Sequence, residues 1–336
     1  MGQVIPVGEV IGWFRVDEAA TAGTVRRAAT EAGERLGLPE ARLGEIAIAI
    51  QEIAGNLHKH ADDGSLLLRT VVQDGVGGLE VVAVDSGPGM DVSKSRDGYS
   101  TAGTLGLGLG AIERLATSSR IYSYPGRGTV LAARFWPKGF VADPVPAAGL
   151  TRPITGEKVC GDGFALRATG YGLLAMMCDG LGHGPLAAAA TEAAVAAFHA
   201  ADGSSPAAVV ETIHRRIGHT RGVAVAVAAV EGALGTVRFA GLGNISGHVV
   251  SRDAPRRTMA SLPGIAGHNR RTVREFDYEL PPDGLVVMHS DGLTERWDLD
   301  GYPLLDRDPT VVAALLLRDA GVRRDDAGVL VVAAGE

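Results

Sequence analysis

Four acidic positions stand where apolar runs begin or end, most of them beside glycine. Asp179 closes the run Tyr171–Met177, within Met177-Cys178-Asp179-Gly180-Leu181-Gly182-His183-Gly184, and Pro185 with four alanines follows. The run reads as a buried strand, and Pro then Ala as the opening of a helix. Asp162 lies one strand earlier, in Gly161-Asp162-Gly163. Asp291 follows the run Leu285-Val286-Val287, and Asp325-Asp326 precede Gly328–Val332. A single Asp-Gly pair is an ordinary turn. Several carboxylates at separated strand termini suit a hard, oxygen-liganded divalent ion; zinc prefers His and Cys.

A second constellation lies in the N-terminal half. A helix is expected from about Pro39 to Ala61, with Ile46, Ile50, Ile53 and Leu57 as its core stripe. Glu45, Glu52, Asn56 and Lys59 form another stripe roughly 100° round the helix. By itself this stripe reads as a solvated face. Strands are expected at Ser65–Gln73 and Leu79–Val84, the latter running into Asp85-Ser86-Gly87-Pro88-Gly89. After a polar segment from Asp91 to Thr104, Gly106, Gly108 and Gly110 open another helix. Glycines at a helix start let backbone N–H groups approach a phosphate, although repeated glycines also describe a plain flexible loop.

The elements that must position these residues divide into two groups. An N-terminal strand over Val4–Phe14, helices over 18–36 and 39–61, and strands at 120–124 and 129–136 belong to the first. Residues 139–150, rich in Pro, Ala and Gly, read as a linker between domains 1–138 and 151–336. Beyond it, helices are expected at 185–201 and 206–218. Val223, Val225 and Val227 alternate with alanine as a strand, and further strands are expected at 236–240, 246–250, 272–278, 285–289 and 329–333. Strands with helices gathered in two places indicate an α+β sandwich.

Composition narrows the function classes. The net charge of −7 with no basic run argues against nucleic-acid binding. No apolar stretch approaches the ~20 residues of a membrane span, and the N-terminus lacks the build of a secretory signal. Two cysteines, Cys160 and Cys178, form no disulfide framework, so a cytoplasmic protein with inert buried thiols is expected.

Glu52-x-x-x-Asn56, Asp85-x-Gly87-x-Gly89, Gly106-x-Gly108-x-Gly110 and Gly128-Thr129 resemble the four boxes of the GHKL (Bergerat) ATP-binding fold, an α/β sandwich. Within it they are most similar to the anti-sigma-factor serine kinases of the RsbT type. The resemblance implies that Asn56 holds Mg²⁺ on ATP, Asp85 bonds the adenine amino group, Thr129 supports the adenine edge and the 106–110 glycines wrap the triphosphate. It further implies that Glu52 activates a protein serine; related ATPases activate water with the same acid, so Glu52 alone leaves both open. Asp162, Asp179-Gly180, Asp291-Gly292 and Asp325-Asp326 resemble the PPM-type metal-dependent phosphatases of the SpoIIE/RsbX kind, an α-β-β-α sandwich. That resemblance implies two Mn²⁺ or Mg²⁺ ions bridged by Asp179, with Asp162 and the Gly180 carbonyl on one and Asp291 and Asp325 on the other. Two ions about 3.5–4 Å apart activate a water and clamp phosphoryl oxygens, so no phosphoenzyme is required. Ala327-Gly328 replaces the family's hydroxyl residues, which is expected to loosen the last strand. His183 is assigned to the helix start, with proton donation as the alternative; Asn244 and His268 are assigned to turns.

The function expected from both resemblances is a bifunctional switch. It would phosphorylate and dephosphorylate a STAS-domain anti-sigma antagonist or a stressosome scaffold, with a sigma factor or a downstream switch phosphatase as further partners. The alternatives are a phosphatase governed by an ATP-sensing domain, and an anti-sigma binding module.

Overall fold

A computed structural model describes residues 4–5, 8–91, 105–143, 146–269, 272–303 and 305–335. The expected polar segment after Asp91 lies outside the described residues. The chain separates into two compact units. One comprises Met1–Ile5, Val145–Asp298 and Asp319–Glu336; the other comprises Pro6–Pro144 with Leu299–Arg318.

The expected single strand over Val4–Phe14 is two strands. β1 (Val4–Ile5) pairs with a strand of the first unit, and β2 (Val10–Arg15) begins the sheet of the second. Pro6, which has no N–H to give a ladder, stands between them.

In the Pro6–Pro144 unit, β2, β3 (Ser65–Gln73), β4 (Val76–Asp85), β5 (Ser118–Ser123) and β6 (Thr129–Phe135) make an antiparallel sheet in the order β2-β3-β4-β6-β5. Helices α1 (Ala19–Arg35), α2 (Glu40–His60) and α3 (Leu105–Leu115) pack on it. Ile46, Ile50, Ile53 and Leu57 sink into a core with Val25, Leu66, Leu79 and Phe135, as their periodicity requires. The polar stripe of α2 divides. Glu45 accepts from Arg42 at 2.5 Å and pairs with Lys138 at 3.0 Å, which makes it structural.

Glu80 lies fully buried in this sheet between two cations. Arg69 Nε donates to its Oε2 at 2.5 Å and Arg134 Nε to its Oε1 at 2.6 Å. Burial works to raise the Glu80 pKa, but the two guanidinium groups outweigh it and hold the carboxylate below its ordinary range. Glu80→Gln removes the buried negative charge that stands between two guanidinium groups. It should cost about 3–5 kcal/mol, read as an earlier unfolding transition of the full chain.

The other unit holds two sheets. β8 (Asp162–Thr169), β9 (Gly172–Gly180), β10 (Val223–Glu231), β11 (Thr236–Leu242) and β14 (Ser261–Leu262) follow β1, and β15 (Phe276–Glu279) also pairs with β11. The second sheet runs β13-β12-β16-β17-β7, from Arg257–Met259 (β13), Ser246–Val250 (β12), Leu285–His289 (β16), Ala327–Ala333 (β17) and Ala147–Arg152 (β7). Ala175, Met177 and Phe239 of the first sheet meet Val286, Met288 and Leu330 of the second. Helices α4 (Pro185–His199) and α5 (Pro206–Arg216) cover the other face of the first sheet through Phe198, Val209 and Ile213.

Two expectations change here. The end of the expected linker is strand β7, paired along β17 from Ala327↔Arg152 to Val332↔Ala147. Its small residues are a packing requirement: a Cβ on Gly149 would stand 2.6 Å from the Phe164 ring. The last strand is not loosened by Ala327-Gly328. Gly328 N donates to Ser290 Oγ at 3.0 Å, and a Cβ there would meet Met177 at 2.2 Å.

Helix α6 (Pro309–Asp319) comes from the C-terminal half in sequence, yet Leu299–Arg318 groups with the Pro6–Pro144 unit. Within that unit Arg134 Nη2 donates to Thr310 Oγ1 at 3.1 Å, and Tyr302 meets the Tyr122 ring edge-on at 5.9 Å. No helix among the described residues is long and apolar enough to cross a membrane.

Candidate functional site

The N-terminal constellation is brought together by α2, α3 and the β4–β6 ladder. Glu52 and Asn56 are one turn apart on α2, on the same side. Gly108 faces both, since a Cβ on it would lie 2.9 Å from Glu52 Oε2 and 3.5 Å from Asn56 Nδ2. Gly106 and Gly108 fall in the first turn of α3 and Gly110 in its second, so free helix N–H groups lie near the Glu52–Asn56 pair.

Asp85 ends β4 directly across from Thr129 at the start of β6. Its Oδ1 accepts the Gly87 N–H at 2.8 Å. Burial raises the Asp85 pKa, while the Gly87 N–H, Arg318 and Thr129 favour its charged form. The turn after it comes close to its neighbours: Gly89 has φ +63°, and a Cβ there would sit 2.1 Å from the Tyr124 carbonyl oxygen. A cavity of about 250 Å³ opens over these residues, lined in part by Ile53, Asn56, Asp85, Met90, Thr129 and Leu131. Its apolar walls and single buried carboxylate suit a flat heteroaromatic base carrying an N–H donor.

Two residues here escaped the sequence reading. Ser123 Oγ accepts from Met90 N and lies 2.9 Å from Thr129 Oγ1, which ties the turn to the strand. Arg318 Nη1 donates to the Asp85 backbone carbonyl at 2.7 Å. Ser123 sits at the end of an expected strand and was visible as a polar strand terminus. Arg318 left no signal, being 233 residues distant in the chain. Removing this charge-assisted hydrogen bond loosens the Asp85 turn. Arg318→Ala should weaken ATP binding by roughly tenfold, measured by calorimetry on the full chain.

The carboxylates gather at the ends of the central strands of the other unit. Asp162 begins β8 and pairs in register with Asp179 near the end of β9. Asp291 follows β16, and Asp325-Asp326 lead into β17, the neighbour of β16. Gly180 is where α4 approaches, as a Cβ would lie 2.3 Å from the Ala187 carbonyl oxygen. The helix start can therefore reach the strand end only over glycine.

Electrostatics show how closely the acids sit. Burial, then the Asp291 charge, pushes the Asp179 pKa up to about 7. Burial and Asp179 push Asp162 well above the ordinary carboxylate range, and burial with Asp291 raises Asp325. Asp162 is 5% exposed; its Oδ2 accepts from Ser290 Oγ at 2.5 Å, but its buried Oδ1 has no hydrogen-bond partner among the described residues. An orphaned buried carboxylate oxygen among mutually repelling acids fits divalent cations, which would supply the missing partner and the missing charge.

The two members of the final acidic pair differ. Asp326 spends both oxygens on backbone, accepting from Ile154 N and Gly161 N at 2.7 Å each. Asp325 accepts one backbone hydrogen bond, from Asp326 N to Oδ1 at 2.9 Å, and the Asp291 charge helps to raise its pKa. Asn244, expected only as a turn residue, donates Nδ2 to Asp291 Oδ2 at 2.7 Å. Ser290 was also overlooked, although its place immediately before Asp291 was a visible cue. His183 is exposed beside Glu157, with Nδ1 at 3.3 Å from Oε1. His268 Nε2 contacts the Thr220 carbonyl at 3.0 Å. Cys178 is buried and Cys160 half-buried; burial raises both thiols, which keeps them protonated.

Comparison with known proteins matches residues 15–135 to the histidine kinase-like ATPase domain and residues 169–334 to the stage II sporulation protein E (SpoIIE) family. The serine/threonine-protein kinase RsbT of Bacillus subtilis (strain 168) is 34% identical over 113 residues, which are 33% of this chain and 85% of the kinase. A solved chain of the bacterial stressosome, described as a modular system adapted to control secondary messenger signalling, is 27% identical. It superposes with a TM-score of 0.52 over 56% of this chain and 99% of its own length. Magnesium-bound RsbX is 16% identical with a TM-score of 0.47, over 55% of this chain and 92% of that one.

Proposed function

We propose, for a chain that belongs to the RsbT family of histidine kinase-like ATPases and carries a SpoIIE-type phosphatase domain after it, a bifunctional switch enzyme of bacterial partner switching. Residues 1–138 transfer phosphate from ATP to a serine or threonine, and residues 151–336 remove it. The substrate is a STAS-domain anti-sigma antagonist or a stressosome scaffold, in the cytoplasm. The observation that supports this reading is that one chain holds two separate polar constellations, each suited to phosphate chemistry. One is Glu52 and Asn56 against the first turn of α3; the other is the acidic cluster with its orphaned Asp162 oxygen.

In the first site, Asp85 and Thr129 orient the base, and the α3 N–H groups receive the phosphates. Asn56 would hold Mg²⁺ through its side-chain oxygen, and Glu52 would take the proton of the attacking hydroxyl. In the second, Asp179, Asp162, the Gly180 carbonyl, Asp291 and Asp325 would together hold two Mg²⁺ or Mn²⁺ ions, with Asp179 as the shared ligand. Such a pair of ions supplies an activated water and a clamp for phosphoryl oxygens. Asn244 fixes the orientation of Asp291, and Ser290 that of Asp162. The test is transfer of labelled γ-phosphate from ATP to a purified STAS-domain partner, followed by its release on adding Mn²⁺. A partner that is neither labelled nor, when labelled by another kinase, dephosphorylated sinks the proposal.

A second reading, in which the ATP unit governs the phosphatase, has its own support. Leu299–Arg318 lies in the chain between Asp291 and Asp325, yet packs in the ATP unit and touches Asp85. Nucleotide binding at Asp85 therefore bears on a segment flanked by two proposed metal ligands. Phosphate release assayed with and without ATP should differ; identical rates exclude this coupling.

A further inference from the structure

Among the described residues, one cluster of metal-ligating side chains stands outside both sites. His248 on β12 and His289 on β16 occupy registered neighbouring strands, and Glu295 follows in the loop after β16. One nitrogen or oxygen from each lies within 4.8 Å of the others. Both imidazoles are only 1% exposed and stack at 5.6 Å between centroids, and Glu295 stands against both, with Oε2 3.1 Å from His248 Nε2 and Oε1 3.7 Å from His289 Nε2. Trp297 closes the cluster, its ring edge-on to His248 at 5.3 Å and His289 at 5.9 Å.

The hydrogen bonds fix which nitrogens face inward. His289 Nδ1 donates to the Ser290 carbonyl at 2.9 Å, so its Nε2 carries the lone pair. His248 Nδ1 lies 3.3 Å from Thr258 Oγ1. Its buried Nε2 has no well-formed hydrogen bond, although Glu295 Oε2 is 3.1 Å away. An outer nitrogen held by a carbonyl or hydroxyl, with the inner one aimed at a carboxylate, is how metal-binding histidines are usually supported. Glu295 has a half-exposed side chain and Oε1 held by Ser246 Oγ at 2.5 Å, which leaves an entry path from solvent.

We propose that His248, His289 and Glu295 form a second metal site, separate from the aspartate cluster, that takes a zinc ion. Two imidazoles and one carboxylate are a borderline donor set, favouring zinc where the all-oxygen aspartate cluster favours Mg²⁺ or Mn²⁺. Ligands at 2.0–2.1 Å from a tetrahedral ion stand about 3.3 Å apart, so the cluster contracts slightly on binding. Two groups must yield. Trp297 Nε1 now donates to His289 Nε2 at 3.3 Å and gives up that lone pair to the ion. Arg256, 3.7 Å from Glu295 and 4.3 Å over the Trp297 ring, loses part of its hold on the carboxylate. The indole is thus a built-in reporter, and the fourth position is left for water or a ligand.

The test uses the full chain, freed of metal and then saturated with Mg²⁺ to fill the oxygen sites, and titrated with Co²⁺ as a spectroscopic substitute for zinc. One equivalent should bind with the visible absorption of four-coordinate, nitrogen-ligated cobalt and quench tryptophan fluorescence, and zinc should displace it. His248→Ala should weaken this binding at least about 100-fold. Glu295→Gln, at a half-exposed position that does not threaten folding, should weaken it by about tenfold or more. Trp297→Phe should keep the absorption and lose most of the quench. Uptake unaltered in both the His248 and Glu295 variants, or cobalt wholly excluded by Mg²⁺, overturns the proposal.

Discussion

Asp179→Asn is expected to leave a folded chain that releases phosphate from its phosphoprotein at least about 10³-fold more slowly, a loss of roughly 4 kcal/mol of transition-state stabilisation. Asp179 sits between the other acids: it pairs in register with Asp162 and feels the charges of Asp291 and Asp325. Amide in place of carboxylate keeps the shape of the strand end and removes the proposed bridging charge. The same variant has a signature independent of turnover. In the metal-free protein the Asp179 pKa stands at about 7, against an ordinary value of 3.8. Between those two values the folded state holds a proton that the unfolded chain releases, so stability falls as pH rises through that window. Melting in chelator at pH 5 and pH 8 should therefore show a steeper loss for the parent chain than for Asp179→Asn. Added Mg²⁺ or Mn²⁺ should recover more stability at pH 8 than at pH 5, because protons no longer compete for the carboxylates. Retained phosphatase activity, or parallel pH slopes, would show that Asp179 does not hold the metals.

Glu52→Gln should lower phosphate transfer to the partner protein by about 10²–10⁴-fold while ATP affinity changes only a few-fold. In the proposed site, binding rests on other groups: Asp85, Thr129 and Asn56, which line the cavity, and the first turn of α3. Glu52 lies beside Gly108 at the phosphate end, where a hydroxyl would attack. Single-turnover transfer at saturating ATP separates the two effects. Undiminished transfer in this variant would remove Glu52 from the chemistry, and a large loss of ATP affinity would make it a binding residue instead.

Both candidate sites could be read from the sequence because their parts obey short-range rules. The i, i+4 spacing of Glu52 and Asn56 sets them on one helix face, and Asp85, Asp179 and Asp291 each mark the place where an apolar run meets glycine. What the sequence hid lies in partners far along the chain. Asn244 looked like a turn residue until Asp291 was placed against it, and Ala327-Gly328 looked like a weak strand until Ser290 and Met177 were seen to require it. The linker composition of 139–150 concealed β7, whose strand character comes from pairing with β17.

The sequence by itself determined two α+β halves, their apolar faces and the acids at the strand ends, since periods of 2 and 3.6 residues depend only on near neighbours. Tertiary structure alone decided that Asp326 spends both oxygens on the backbone of Ile154 and Gly161, while the charge of Asp291 bears on Asp325. It alone set His248 beside His289, and carried Leu299–Arg318 into the ATP unit to reach Asp85. Each of these outcomes depends on strand register or helix docking across 34 to 233 residues of chain. Local pattern carries no term for such distances, and packing and charge settle them only when the chain has closed on itself.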